Sequence, residues 1–389
     1  MTSLLTPTPS GDWTLEPVFT SAQREEFIEL PYRVHRGLQY WVPPLRRDVR
    51  RLLDPKIHPF HQHASVAYFL ARKTADAPAA GRIAAIINHR HNEHHHDRVG
   101  FFGFLDAEDD RSLFHALLHR AAQWVREQGY DTLRGPCSFS TNEECALLVE
   151  GFDRPACVMI PYHPPYYARH IEALGGQKAV DLLSYWANRE NLTDRLYTLR
   201  ERAMKRLAAQ GTLTIREVRL KRLPDELKIV QAIYNEAWGD NWGFVPITDA
   251  EIAFMAAEMK PIVDPRLALI AEFNGVPAAF SLALPDFSQL LMHMNGRLNP
   301  LTILKAWQLR SSVKLVRILA LGVAKEFRNR GFDVILYGET ARRGIEAGYW
   351  QGEFSWILED NQKMNQALLA IGASVRRRHR IYDWPMATP

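Results

Sequence analysis

The order of elements implied by the residue pattern runs through this chain twice, and that repetition limits the available folds more than any other feature. A helical pattern over residues 21–36 leads into Tyr40, Trp41, Val42, Pro43 and Pro44. Another over 225–238 leads into Trp242, Gly243, Phe244, Val245 and Pro246, so an aromatic segment ending in Val-Pro follows the first helix each time. Two strands come next in each copy, 65–71 with 82–87 and 267–273 with 276–284, rich in Val, Ile and aromatic residues. Asn274 and Gly275 join the later pair; both tolerate positive φ, which predicts a tight hairpin. Each copy then has a third strand (99–105, 316–323), a helix (111–128, 333–347) and a strand (132–137, 353–358). A helix (165–174, 362–371) and a closing strand (179–186, 374–384) complete it. Such an order predicts an α/β chain in which a mixed α+β sheet carries helices on both faces, built twice.

Between the copies, residues 193–210 are helical in pattern and heavily charged, which predicts a solvated linker helix. Residues 212–218 alternate like a first strand of the second copy. The expected division is a first domain over 12–187, a linker over 188–211 and a second domain over 212–389, consistent with a chain of 389 residues. Its 48 basic and 44 acidic residues leave a formal charge of +4, so no nucleic-acid partner is expected and any basic site must be local. Cys137, Cys145 and Cys157 are odd in number and lack a C-x-x-C spacing, which predicts reduced thiols. The first 13 residues lack a basic start followed by an apolar core, and no apolar run is long enough to span a bilayer. A cytoplasmic protein is expected.

The most informative stretch runs from Leu319 to Asp333. A buried strand enters a short loop holding Arg328, Asn329, Arg330 and Gly331, and a helix follows. Amides at a helix N-terminus, reinforced by guanidinium groups, form a pyrophosphate site, and Gly331 lets the main chain approach it. The step Glu326-Phe327-Arg328-Asn329-Arg330-Gly331 resembles the strand-four signature of the GNAT superfamily of acyl-CoA N-acyltransferases. The likeness continues through residues 355–361, ending in Asn361, and through Gly372, and covers about 212–384.

The resemblance implies two tandem GNAT-like domains and an enzyme using acyl-CoA as co-substrate. It implies main-chain contacts from Leu321, Gly322 and Val323 to the pantetheine arm. Arg328, Asn329, Arg330, Gly331 and Phe332 would cradle the pyrophosphate, and Asn361 would steady the thioester end. Two positions depart from the family pattern. Asp333 replaces the final Gly or Ala, and Leu368 stands where a tyrosine acid is frequent.

In the first copy the equivalent loop carries Asp106, Glu108, Asp109 and Asp110 where pyrophosphate would need cations, so only one coenzyme site is expected. The insertion 138–144 and the stretch 159–167 are polar and aromatic, and read either as lining for an acceptor pocket between the domains or as a capped helix start. These segments resemble a set of bacterial tandem GNAT proteins that includes ceramide synthase-type enzymes acylating long-chain bases. That likeness implies an amide-forming N-acyltransferase with a small or lipid-like primary amine, best a sphingoid-type base, as acceptor. The alternatives are an aminoacyl-tRNA-dependent transferase of the Fem type, against which the short 193–210 helix counts, and a non-catalytic acyl-CoA sensor.

Amide formation needs a base for the amine and an acid for the departing thiolate. Glu359 and Asp360 at a strand end, Glu143 from the other copy, and Tyr382 on the closing strand are the candidates. Strand alternation puts Glu359 and Asp360 on opposite faces. Residues 290–310 mix Leu, Met and Trp with Arg297, Lys305 and Arg310. They read either as a helix pair packed on the sheet or as a contact with an anionic membrane surface, giving peripheral attachment at the inner face of the cell membrane. The histidine-rich run 89–96 reads as a hairpin tip, and no metal is expected. Residues 376–380 read as a solvated basic edge or as an anion-binding face.

Overall fold

The computed structural model describes residues 13–192 and 194–386. The leader reading of residues 1–12 and the start of the linker helix at Thr193 lie outside the described residues. The first half of the chain forms β1 (Thr14–Pro17), α1 (Ser21–Val34), α2 (Arg46–Leu52), β2 (Ala64–Arg72), β3 (Gly81–Asn88) and α3 (His89–His95). It continues with β4 (Val99–Ala107), α4 (Arg111–Glu127), β5 (Thr132–Gly135) and three short strands, β6 (Cys137–Ser138), β7 (Glu144–Cys145) and β8 (Leu147–Glu150). Then come α5 (Tyr166–Ala173) and β9 (Gln177–Asn188). The second half forms α6 (Asp194–Ala208), β10 (Leu213–Glu217), α7 (Leu223–Trp238), α8 (Asp249–Met259), β11 (Ala268–Phe273) and β12 (Val276–Pro285). It ends with α9 (Ser288–Leu291), α10 (Pro300–Leu309), β13 (Leu315–Val323), α11 (Phe332–Glu346), β14 (Gln351–Leu358), α12 (Gln362–Ala370) and β15 (Ser374–Pro385).

Two compact units emerge, and their membership departs from the expected 12–187, 188–211 and 212–389 division. The first unit holds the described residues up to Asp181, Leu290–Ala306, and those from Arg378 onward; the second holds Leu182–Gln289 and Trp307–Arg377. Within the first, strands lie in the order β1, β2, β3, β4, β5, β15; within the second, β10, β11, β12, β13, β14, β9. The two orders match position by position, and each has one parallel pair, β4 with β5 and β13 with β14. The duplicated mixed sheet is therefore present.

Its closing strands are exchanged. β15 pairs with β5, Tyr382 opposite Gly135, and β9 pairs with β14, Asn188 opposite Gln351. Each strand that was expected to close its own copy instead completes the other unit. Backbone pairing has almost no side-chain code, so the order of strands in the sequence does not say which closing strand joins which sheet.

In the first unit, α4 lays Leu113, Phe114, Leu117, Leu118, Ala121 and Val125 on the sheet, a stripe at helical spacing that is fully buried. In the second, Phe332, Ile335 and Leu336 of α11 share a core with Leu207 of α6 and with Leu269, Ala271 and Phe280. α6 is thus not a solvated linker, since Leu196, Ala203 and Leu207 are buried. The charges that suggested solvation serve a second purpose. Arg200 of α6, with Arg342 and Arg343, surrounds buried Glu339 at 2.6–2.7 Å. Burial pushes the Glu339 carboxyl up, but hydrogen bonds from Arg342, Arg343 and Arg200 outweigh it and hold it at about 2. A depressed acid contributes stability above its unfolded value, so this contribution is present above the ordinary 4.5 and lost as pH falls through about 2. Glu339→Gln is expected to lower unfolding free energy at pH 7 by about 3 kcal/mol. Denaturant melts should show the gap from wild type closing below pH 4.5; a gap that stays constant would remove Glu339 from this role.

Candidate functional site

Parallel pairing between β13 and β14 runs from Leu315 opposite Gln351 to Ile318 opposite Phe354, then stops. β13 continues against β12 as far as Val323, while β14 turns its remaining residues to β9. Residues 319–323 therefore have no strand neighbour on one side among the described residues, and alternate peptide groups face that opening. Leu321, Gly322 and Val323 lie along it. The β12–β13 register slips between Leu282 and Ala283, adding one residue on β13 at Leu319 and bending it where the opening begins.

From β13 the chain makes a short turn over Lys325–Phe327 and reaches α11 at Phe332. Asn329 (φ 61°) and Gly331 (φ 95°) take left-handed conformations, which turn successive amides the same way. The amides of residues 329–334 donate to no acceptor among the described residues. An anion at the start of α11 would find them together with the helix dipole. Phe332 is buried in the core, so it can contribute only its amide.

The side chains differ from the sequence expectation. The Arg328 guanidinium donates to the Glu236 carbonyl (2.8 Å), closing the C-terminal end of α7. Arg330 lies over the rings of Phe273 (5.0 Å) and Phe327 (5.6 Å) and donates to Gln210 (3.2 Å). Both fasten the loop. A Cβ on Gly331 would come within 3.0 Å of the Ala203 Cβ, so the glycine serves the left-handed turn and the fit to α6 rather than an approach to ligand.

Asn361 caps α12, accepting from the Met364 amide at 3.2 Å. Glu359 and Asp360 fall in a turn after β14, so strand alternation does not separate them; Glu359 is half-buried and Asp360 exposed. Tyr382 belongs to the first unit, where it is fully buried and donates to Glu172 at 2.9 Å. Its burial pushes the phenol up, with Glu172 adding to the shift. Glu143 is also in the first unit, 3.4 Å from His58. Leu368 is buried in the second unit's core. The basic run ending at Arg380 is mostly engaged: Arg377 meets Glu353 at 2.8 Å, and Arg378 and Arg380 meet Asp181 at 3.1 and 2.7 Å.

Several polar groups at the opening were not singled out from sequence. Arg317, buried, donates to the Ser355 hydroxyl at 3.1 Å where β13 and β14 part. An arginine inside an apolar strand was the available signal. Asn365 ties the end of β14 by donating to the carbonyls of Leu358 and Glu359, both at 3.1 Å, and accepts from Tyr185 at 2.9 Å. Tyr337 is half-buried against Met364, and desolvation, then the Asp333 charge, push its phenol up. A groove of about 790 Å³ beside the loop is lined by Ile229, Ala232, Ile233, Glu236, Ala324 and Lys325.

The first unit has the same opening, filled by its own chain. β4 and β5 pair only from Val99 opposite Thr132 to Phe101 opposite Arg134. β6 then enters the gap, and the Phe104 amide donates to the Ser138 hydroxyl at 3.1 Å. A Cβ on Gly103 would lie 2.2 Å from the Cys137 carbonyl oxygen, so glycine is required there. Asp110 occupies the start of α4, accepting from the amides of Ser112 and Leu113 at 2.7 and 3.1 Å. Asp106 is held by His35 and Arg82, and Asp109 by His170 and Arg169. Here the carboxylates and a hydroxyl of the protein itself satisfy groups that remain open in the second unit. The histidine-rich run forms α3, with His91 buried against His95 and Phe101. Among the described residues no group of three His, Cys, Asp or Glu side chains could hold a metal ion.

Asp333 is exposed in the first turn of α11. Its charge stabilises the helix N-terminus but opposes an anion there. Asp333→Asn is expected to tighten the binding of pyrophosphate at this helix start about two- to fivefold with a small loss of thermal stability. Calorimetric titration measures this, and weaker binding would mean the carboxylate assists the ligand.

No family model matches the sequence. Protein YghO of Escherichia coli (strain K12) is 37% identical over 369 residues, 92% of this chain and 91% of that protein. The bacterial ceramide synthase of Caulobacter vibrioides (strain NA1000 / CB15N) is 34% identical over 381 residues, 96% of this chain and 98% of that one. Among solved structures, a tandem GNAT protein from the clavulanic acid biosynthesis pathway matches with TM-score 0.55 at 12% identity, covering 97% of this chain and 99% of its own. A GCN5-related N-acetyltransferase from Sphaerobacter thermophilus matches with TM-score 0.51 at 13% identity, covering 97% and 98%. These distant structures share the fold, and the full-length relatives supply the kinship. The chain therefore has the tandem GNAT fold and belongs to the N-acyltransferase family that includes the Caulobacter bacterial ceramide synthase.

Proposed function

We propose that this N-acyltransferase takes its acyl group from acyl-CoA and that its acceptor is a long-chain, sphingoid-type primary amine. The observation that carries the coenzyme reading is the open β13 edge leading directly to the unpartnered amides of residues 329–334. An extended pantetheine arm has the length and hydrogen-bonding groups to lie along the former, and a pyrophosphate suits the latter. The acceptor reading is supported by the kinship with the Caulobacter bacterial ceramide synthase, 34% identical to this chain. A long-chain base resides in a bilayer, so the reading includes peripheral attachment to the inner face of the cell membrane.

In the proposed reaction Glu359 takes the proton from the amine, whose nitrogen adds to the thioester carbonyl. The C–S bond then breaks, the amide remains, and the thiolate is protonated to free coenzyme A. Glu359 is preferred to Asp360 because it is half-buried and its carbonyl is fixed by Asn365. Glu143 and Tyr382 belong to the first unit, whose own fork is filled by β6.

The test is thiol release from acyl-CoAs of varied length with a panel of amines, alongside calorimetric counting of coenzyme sites. Turnover greatest with a long-chain base, and one coenzyme per chain, are expected. Turnover confined to short soluble amines would overturn the acceptor, and two equivalent sites would contradict the filled fork of the first unit.

A further inference from the structure

The segment 290–310 divides into two parts with different surroundings. Leu290 and Met294 are buried. Arg46 donates through its guanidinium to the Asn295 carbonyl (2.6 Å) and through its amide to the Gly296 carbonyl (3.1 Å). Gly296 (φ 68°) sits where a Cβ would meet the Tyr32 ring at 2.4 Å and the Pro44 carbonyl at 2.7 Å. This part is an anchor.

The following helix, α10, has no buried residue. Leu301 is 79% exposed, Trp307 64%, Leu304 52% and Ile303 51%. At 3.6 residues per turn these four side chains span an arc of about 160° on one side of the helix. Thr302, Ala306 and Leu309, the less exposed positions, fall on the other. Four large apolar side chains facing water on one helix is a large exposed patch for a folded chain, and marks a surface that meets something apolar. The charges around it say what. From Phe287 to Lys325 there is no acidic residue, and Arg297, Lys305, Arg310 and Lys314 lie at or near α10. An apolar arc edged only by cations suits an anionic bilayer, whose acyl region takes the arc and whose phosphates take the cations. A tryptophan on that arc suits the headgroup boundary, where its ring is apolar and its N–H stays wet.

We infer that α10 is a membrane-surface helix that lies in the headgroup boundary of an anionic bilayer on Ile303, Trp307, Leu304 and Leu301. Its purpose, access to a membrane-resident long-chain base, rests on the proposed acceptor; the surface itself follows from exposure and charge. The remainder of 290–310 does not share the role, being tied to Arg46, Tyr32 and Pro44.

The full chain should co-float with phosphatidylglycerol vesicles at least about tenfold more than with phosphatidylcholine vesicles, and less as salt rises. The combined variant Leu301→Ser, Leu304→Ser, Trp307→Ser should lose this binding about tenfold or more at an unchanged melting temperature. Lys305→Glu with Arg310→Glu, which leaves the apolar arc intact, should lose it comparably. Wild type that ignores phosphatidylglycerol, or a serine variant that binds as wild type, overturns the proposal. So does a wild-type dimer that the serine variant disperses while neither binds vesicles, since a second copy would then cover the arc. Thiol release with a water-soluble amine, run on the same preparations, should be equal in wild type and variants. Absence of any thiol release with vesicle binding intact would strike the acyltransfer reading and leave the role of α10 standing.

Discussion

Replacing Arg328 and Arg330 together with alanine is expected to weaken acyl-CoA binding about a hundredfold, equivalent to about 2.7 kcal/mol, while the chain still folds. The double substitution acts in two ways. It removes two cations close to where a pyrophosphate would lie, each contributing about 1 kcal/mol at partial exposure. It also unfastens the loop, because Arg328 holds the C-terminal carbonyls of α7 and Arg330 is pressed on Phe273 and Phe327. Loop order matters here because the amides of residues 329–334 must point one way to bind an anion. Neither arginine is in the core, so the melting temperature should fall by only a few degrees. The Arg328→Lys, Arg330→Lys pair separates the two effects, since lysine keeps the charge but not the fork-shaped contacts. Undiminished affinity in the alanine pair would place the coenzyme elsewhere.

The second large effect is on turnover. Glu359→Gln is expected to lower kcat about a hundredfold with little change in the KM for acyl-CoA, because a general base contributes roughly that factor. Its amide cannot accept the amine proton, yet the side chain keeps its size and the Asn365 contacts to the Leu358 and Glu359 carbonyls remain. Asp360→Asn, changing the exposed neighbour, should leave kcat within about twofold. If Asp360→Asn carries the larger loss, the base has been misassigned by one residue.

Local sequence made the proposed coenzyme region readable because its parts are adjacent: a strand, a turn holding Gly331, and a helix beginning at Phe332. Conformational need is local, and so Asn329 and Gly331 could be placed in a turn before any contact was known. The direction of the guanidinium groups was not readable. Arg328 reaches the Glu236 carbonyl 92 residues away, and Arg330 reaches Gln210 at a separation of 120. The acidic loop of the first copy is unlike an anion site in sequence; the entry of β6 into the β4–β5 gap, which also fills that opening, is a tertiary event. In 290–310 the two readings of the sequence divide by part: packing is seen in one, and membrane contact is proposed for the other. Burial of Leu290 and Met294 follows one, and the exposed arc of α10 follows the other.

The sequence alone determined the duplicated order of elements, the Asn274–Gly275 hairpin, and the strand, loop and helix that end at an anion-ready start. All of these are set by periodicity and backbone preference over a few residues. Tertiary structure decided which sheet each closing strand joins, and with it that Tyr382 lies in the first unit and Tyr185 in the second. It also decided that α6 packs instead of linking, and that one of two equal forks is filled. The physical reason is common to these cases. A strand edge offers the same amides and carbonyls to any partner, so long-range pairing is settled by what the whole chain can bury at once.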